Sequence, residues 1–249
     1  MSSNIGAWSI KKFLFIIIVI QIILHLPIIP LSPMGQHTWR QVAGLSQARN
    51  YYEENNSFFY PRMDIRVNKN DQGIIYKEFP LLYWLIGQSY KITGFHHANG
   101  RIIQFIIGIF LIIGSYRFCR ALGVNDSAAR WYTFFLSFSP YFFYYSVTVI
   151  PDFIALTFFL WGISLLLPNI MKEKWSYAFW LGVILISLAT LSKATWLFFG
   201  LPLAYIFFAQ FIKTKKYRIL ILGFFVGGLI LALNGIQYLH QLKLWQQAP

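Results

Sequence analysis

Pro80-Leu81-Leu82-Tyr83-Trp84-Leu85-Ile86-Gly87-Gln88-Ser89-Tyr90-Lys91-Ile92 is the stretch on which the fold turns. It is apolar enough to enter a bilayer, yet it is short and is interrupted by Gln88, Ser89 and Lys91. A crossing helix needs about 20 predominantly apolar residues. Seven other runs approach that length: 13–32, 102–118, 131–149, 153–168, 176–192, 194–212 and 219–238. If 80–92 also crosses, every loop after it changes sides.

Charge arbitrates, because short cytoplasmic loops carry an excess of Lys and Arg. With the N-terminus cytoplasmic and 80–92 not crossing, the inner loops hold Lys11 and Lys12; Arg117, Arg120 and Arg130; Lys172 and Lys174; and Lys213, Lys215, Lys216 and Arg218. A crossing at 80–92 would turn all but the first pair outward. The segment is therefore expected to be a re-entrant or interfacial helix on the outer face. Asp152, Lys193 and the whole of 33–101 then share that face.

Composition sets the class. Of 249 residues, 57% are hydrophobic, 20% aromatic and only 12% charged, with a mean hydropathy of +0.54. A soluble domain of this size cannot conceal that much apolar surface, so an integral membrane protein is expected. The net charge of +13 does not imply nucleic acid, because the basic residues sit in short clusters between apolar runs. Anionic membrane lipids are the natural partners. Cys119 is alone, which excludes an internal disulfide and a thiol metal cluster. Lys11 and Lys12 precede a run ending in Pro30-Leu31-Ser32-Pro33 without a small-x-small site, the pattern of an uncleaved signal anchor in the plasma or inner membrane.

The expected fold is all-α: a polytopic membrane helix bundle of about seven spans forming one domain over 1–249. Its long outer first loop, 33–101, carries interfacial helices, and the remaining bundle occupies 102–249. Within the loop, Thr38–Glu54 has the spacing of a surface helix with Trp39, Ala43, Ser46 and Asn50 on one side. Phe58–Arg66 reads as extended, and Asn68–Gly73 as a turn.

Ionisable groups at membrane depth are functional by default. Asp152 follows Pro151 and opens an apolar run; it is either a helix N-cap or a carboxylate that orients a sugar or pairs with a catalytic cation. Lys77 and Glu78 stand where the loop re-enters the membrane, as a snorkelling pair or as part of a pocket rim. Lys193 is a lone cation in a tight turn between two apolar runs, and such a point charge suits a lipid phosphate. Arg40, Arg49, Arg62 and Arg66 give the loop four guanidinium groups, divided between salt bridges to Glu53, Glu54 and Asp64 and phosphate contacts. His25 falls inside the first span and is expected to make a polar contact within the bundle. His96-His97 are poorly spaced to chelate one ion, and a divalent metal has no other supporting ligand set.

Glu78-Phe79-Pro80-Leu81-Leu82-Tyr83-Trp84, following a signal anchor and a long outer loop, resembles the motif of the GT-C class of membrane glycosyltransferases. The likeness is greatest to the protein mannosyltransferase and aminoarabinose transferase relatives, the glycosyltransferase family 39 type. Similar too are Trp39-Arg40-Gln41, Ala48-Arg49-Asn50-Tyr51, Tyr60-Pro61-Arg62-Met63-Asp64, the arginine-led span at Arg101, Val149-Ile150-Pro151-Asp152-Phe153 and Ser192-Lys193. The resemblance covers about residues 10–215.

The resemblance implies transfer of a sugar from a polyprenyl-phosphate donor to an acceptor on the outer face, with inversion at the sugar carbon. Lys193 with Arg40, Arg62 or Lys77 would hold the lipid phosphate, and Asp152 and Glu78 would orient the reactants. The lipid-linked sugar is the required co-substrate, and no other cofactor is called for. The family's loop aspartate, the acceptor's base, belongs within 36–43, where Gln36-His37-Thr38-Trp39-Arg40-Gln41-Val42-Ala43 holds no acid. That leaves Asp64 or His37 as the substitute, or a chain without turnover. Relatives continue with more helices and an outer C-terminal domain, so a partner subunit or a further C-terminal region is expected. The rivals are a non-catalytic lipid-binding or scaffold relative and a small transporter; against the latter, no inverted repeat is visible.

Overall fold

The computed structural model of the chain describes residues 9–66, 73–74 and 78–247. Among them lie helices α1 (Ile10–His25), α2 (Thr38–Glu53), α3 (Leu81–Thr93), α4 (His97–Ala121), α5 (Asp126–Ser137), α6 (Pro140–Tyr145), α7 (Pro151–Met171), α8 (Tyr177–Ser192), α9 (Gly200–Thr214) and α10 (Tyr217–Gln247). A 3₁₀ turn, Ala194–Phe199, leads into α9. No strand forms among the described residues; Arg62 and Ile74 make an isolated antiparallel bridge. The all-helical class is as expected.

Four helical stretches are long and apolar enough to cross a membrane: His97–Ala121, Pro151–Met171, Ala194–Thr214 and Tyr217–Leu244. They correspond to four of the seven expected spans. The other three are shorter. α1 and α8 have 16 residues each, which at 1.5 Å per residue is roughly 24 Å against a hydrocarbon core of about 30 Å. The expected continuous span 131–149 is instead broken into α5 and α6. Ser139 and Pro140 explain the break: the Ser139 hydroxyl accepts from the Phe142 N–H at 3.1 Å, and Pro140 fills the first-turn position its missing N–H suits.

The segment 80–92 is one helix, α3, of 13 residues, and at about 20 Å it is too short to span alone. It packs on α2 at close range. Tyr83 lies over Gly44, where a Cβ would come within 2.7 Å of the ring's Cζ, and a Cβ on Gly87 would meet the Ala48 carbonyl oxygen at 2.7 Å. The buried face of α2 therefore runs through Gln41, Gly44, Leu45, Ala48 and Tyr51. Of the residues that spacing puts on one side, Trp39 is 70% exposed and Asn50 is buried at 4%. Small residues had to face α3, and hydrophobic spacing alone does not register that. The expected turn at Asn68–Gly73 lies outside the described residues except for Gly73.

The larger core is built by α4, α7 and α8 around Leu111, Ile112, Phe153, Leu166 and Phe179. Buried polar groups pin its irregular parts. The Arg101 guanidinium donates to the carbonyls of Leu31 (2.9 Å), Ser32 (2.8 Å) and Val147 (3.4 Å), and Gln104 reaches Tyr145 and Ile150, each at 3.3 Å. His25 is buried, with Nδ1 2.7 Å from the Gln21 carbonyl oxygen and Nε2 2.9 Å from the Ser146 hydroxyl. The Arg101 and Gln104 bonds satisfy carbonyls that lie outside the helices or at their ends.

Candidate functional site

Four side chains from four parts of the chain meet at one end of the bundle. Arg40 comes from the first turn of α2, and Glu78 from the segment before α3. Asp152 comes from the first turn of α7, and Lys193 from the extended residue that ends α8. Arg40 pairs with Glu78 through one guanidinium nitrogen and approaches Asp152 Oδ2 at 3.5 Å through the other. Lys193 Nζ pairs with Asp152 Oδ1. The order is acid, base, acid, base, with no net charge across the four. The Tyr83 phenol donates to the second Glu78 oxygen at 3.3 Å.

Asp152 does not serve as an N-cap. The cap position is Ile150, without a side-chain hydrogen bond, and the carboxylate turns to the cations instead. Its Oδ2 is buried without a hydrogen-bond partner, the Arg40 contact being an ion-pair distance and not a bond. The four side chains retain between 23% and 31% of their exposure, so they are partly desolvated yet reachable. Burial lowers the Lys193 pKa, the Arg40 charge adds to this, and Glu78 opposes it. Burial pushes the Tyr83 phenol far up, and the neighbouring Glu78 charge adds to it.

The remaining sequence candidates lie elsewhere. Arg62 pairs with Glu54 at 3.4 Å, alongside Arg66 and Asn56. Burial pushes the Glu54 carboxyl up, but the hydrogen bonds from Arg66, Asn56 and Arg62 outweigh it and hold it below the usual carboxylate range. Asp64 is exposed, its N–H directed at the Ser46 hydroxyl at 3.4 Å. His37 is exposed, in the left-handed conformation (φ 61°) that starts α2, its ring centroid 6.4 Å from that of Tyr145. Lys77 lies outside the described residues. No group of three or more His, Cys, Asp or Glu that could hold a metal is present among the described residues.

A cavity of about 590 Å³ opens beside Glu78. Phe59, Tyr60, Phe79 and Pro80 form one wall, and α10 forms the other through Leu233, Ile236, Gln237, His240, Gln241 and Leu244. Neither Tyr83 nor the α10 polar residues were singled out from sequence. Tyr83 sits five residues after Glu78 within the same motif; Gln237 lies within the last apolar run, and His240 and Gln241 follow it at helical spacing.

Comparison with known proteins adds to this geometry. Residues 77–235 match the family model described as dolichyl-phosphate-mannose-protein mannosyltransferase. An uncharacterized protein of Aquifex aeolicus (strain VF5) is 27% identical over 184 residues, covering 72% of this chain and 34% of the relative. The chain thus spans about a third of the length of that curated relative. No solved structure matches. Glu78, Asp152 and Lys193 fall inside the family match, and Arg40 precedes it.

Proposed function

This chain belongs to the dolichyl-phosphate-mannose-protein mannosyltransferase family, and from that premise we propose that it transfers a sugar from a polyprenyl-phosphate donor to an acceptor on the outer face of the membrane. It is an integral membrane protein of a glycosyltransferase family. We propose further that it crosses seven times as one domain with its N-terminus cytoplasmic, α1, α8 and the α5–α6 pair completing the set, and that α2 and α3 rest on the outer face.

In this reading Lys193 and Arg40 hold the donor phosphate. Asp152 takes the acceptor's hydroxyl proton while the acceptor oxygen bonds to the anomeric carbon. The bond from that carbon to the phosphate oxygen breaks with its electron pair, and polyprenyl phosphate leaves with inversion. Glu78, held by Arg40 and Tyr83, orients the reactants. The observation that carries the proposal is the unbonded, buried Asp152 Oδ2 within a self-neutral chain of four charges. Both cations are already occupied by carboxylates, so an arriving phosphate competes with Asp152 for Lys193 and releases it as a base. Asp64 and His37 are exposed outside this cluster, which favours Asp152 for the role.

The test separates binding from chemistry. Asp152→Asn removes both base and competitor: transfer falls by about 10²–10⁴-fold, while polyprenyl phosphate binds at least as tightly as before. Lys193→Ala weakens that binding. Full transfer by the Asp152→Asn protein, or unchanged phosphate binding after Lys193→Ala, removes the site. The second reading, a lipid-binding relative without turnover, is favoured by the absence of an acid in Gln36–Ala43. Turnover of a polyprenyl-phosphate sugar by the purified chain alone refutes it.

A further inference from the structure

The cavity beside Glu78 follows α10 from Leu233 to Leu244, a run of about 16 Å at 1.5 Å per residue. Its volume is in the range of small-molecule sites. Most of its lining is aliphatic or aromatic, so its occupant has an apolar body. Its polar groups are Gln237, His240 and Gln241 of α10, the Tyr60 phenol and Glu78.

Glu78 is the sole charged residue lining the cavity among the described residues. The Gln237 amide nitrogen lies 3.5 Å from the Leu191 carbonyl oxygen, and its Oε1 is buried with no hydrogen-bond partner. His240 Nε2 lies 3.0 Å from the Phe59 carbonyl oxygen. A carbonyl only accepts, so Nε2 carries the hydrogen in this contact. The Glu78 carboxylate, the amides of Gln237 and Gln241, the His240 ring and the Tyr60 phenol, but no cation among the described residues, thus line an apolar space. A phosphate entering here would meet a carboxylate and find no counter-charge, whereas hydroxyl groups would find partners for their hydrogens.

We infer that this cavity is the acceptor subsite, and that the acceptor is an uncharged, hydroxyl-bearing amphiphile oriented by Gln237 and His240 with its apolar body between α10 and the Phe59–Pro61 segment. The inference rests on the transfer reading above and adds the acceptor's chemical class. The donor phosphate belongs at the other end of the charged chain, on Lys193. Glu78 lines the cavity and also belongs to the charged chain, so the two sites adjoin.

The test uses the full chain in lipid nanodiscs with two photoreactive probes, a diazirine-bearing long-chain alcohol and the same chain ending in a phosphate. The alcohol should label residues 59–61 and 233–244 saturably, competed by unlabelled alcohol, and the phosphate should not. Gln237→Leu should lower that labelling about fivefold, the worth of one net hydrogen bond. Ile236→Trp is a second variant: Ile236 lines the cavity yet is 64% exposed, so the bulk narrows the space without crowding the core, and the labelling should again fall. Equal cavity labelling by the phosphate probe, or labelling untouched by both variants, overturns the inference. Labelling needs no turnover. If Lys193→Ala spares polyprenyl-phosphate binding while the alcohol still marks α10, the transfer reading fails and the amphiphile site stands. If transfer proceeds but the alcohol never marks α10, the reverse holds.

Discussion

Asp126 shows at single-residue scale how this chain uses carboxylates away from the charged cluster. It opens α5, accepts from the Tyr116 hydroxyl at 2.5 Å and from Arg130 Nε at 2.7 Å. The Tyr116 hydrogen bond, with that of Arg130, holds its carboxyl below the usual range against the effect of burial. Because the folded value is the lower one, its stabilising contribution is whole above the ordinary carboxylate range and is lost as pH falls through the lowered value. Thermal unfolding followed against pH should therefore show an acid-side loss that Asp126→Asn flattens. An unchanged acid limb in that variant would mean that the corner between α4 and α5 draws nothing from this carboxylate. The contrast with Asp152 is instructive. Both acids stand in a helix's first turn, but Asp126 has both oxygens hydrogen-bonded, and Asp152 keeps one buried oxygen without a bond. A sequence shows two N-terminal aspartates; only their neighbours from elsewhere in the chain make one structural and the other available.

At the scale of elements, the α2–α3 contact decides whether Arg40 and Glu78 can meet. Gly44 and Ala48 are four residues apart on α2 and face Tyr83 and Gly87 of α3, the small-residue spacing that lets helices approach closely. Gly87→Ala should separate the pair, because its Cβ would meet backbone and not a movable side-chain end. Overpacking of this kind costs about 1–3 kcal/mol, and a lower Tm together with weakened transfer is the expected outcome. Retention of both would show that α2 can slide without moving Arg40. The elements also mark where spacing misled. The run 131–149 looks continuous by hydrophobicity, but Ser139 and Pro140 cap a new helix inside it; Gln21 bonds the freed Ser137 carbonyl at 2.8 Å, and Arg101, Gln104 and His25 bond the carbonyls of Val147, Tyr145 and Phe143 further along. Arg101 and His25 were visible as polar residues in apolar runs; their partners, main-chain carbonyls, carry no residue-type signature.

For the whole molecule, the two ends of α7 carry different chemistry. Asp152, in its first turn, belongs to the charged cluster. Glu173, just beyond its last residue, pairs with Lys216 at 2.8 Å and Arg218 at 2.6 Å. The 21 residues of α7 separate these ends by about 31 Å, the thickness of a hydrocarbon core. In the orientation proposed above, Lys216 and Arg218 lie in the cytoplasm and the four-charge cluster outside. Cysteines introduced at Trp39, Tyr60 and Tyr217, all exposed, test this on intact cells with a membrane-impermeant maleimide. Positions 39 and 60 should react at once, and 217 only after permeabilisation. The opposite pattern would invert the proposed orientation and place the site in the cytosol.

Composition and the spacing of apolar runs were sufficient for the membrane class, the all-helical fold, the isolation of α3 as a short helix and the suspicion that fell on Glu78, Asp152 and Lys193. These are properties of hydrophobicity and charge, which each residue carries wherever it sits. Tertiary structure alone decided that Arg40 would bridge the two acids while Arg62 bonded Glu54, that Tyr83 would reach Glu78, and that Gln237 and His240 would line a cavity beside them. Those outcomes depend on contacts between residues far apart in the chain, set by which helix faces are small enough to close on one another, and no local pattern records them.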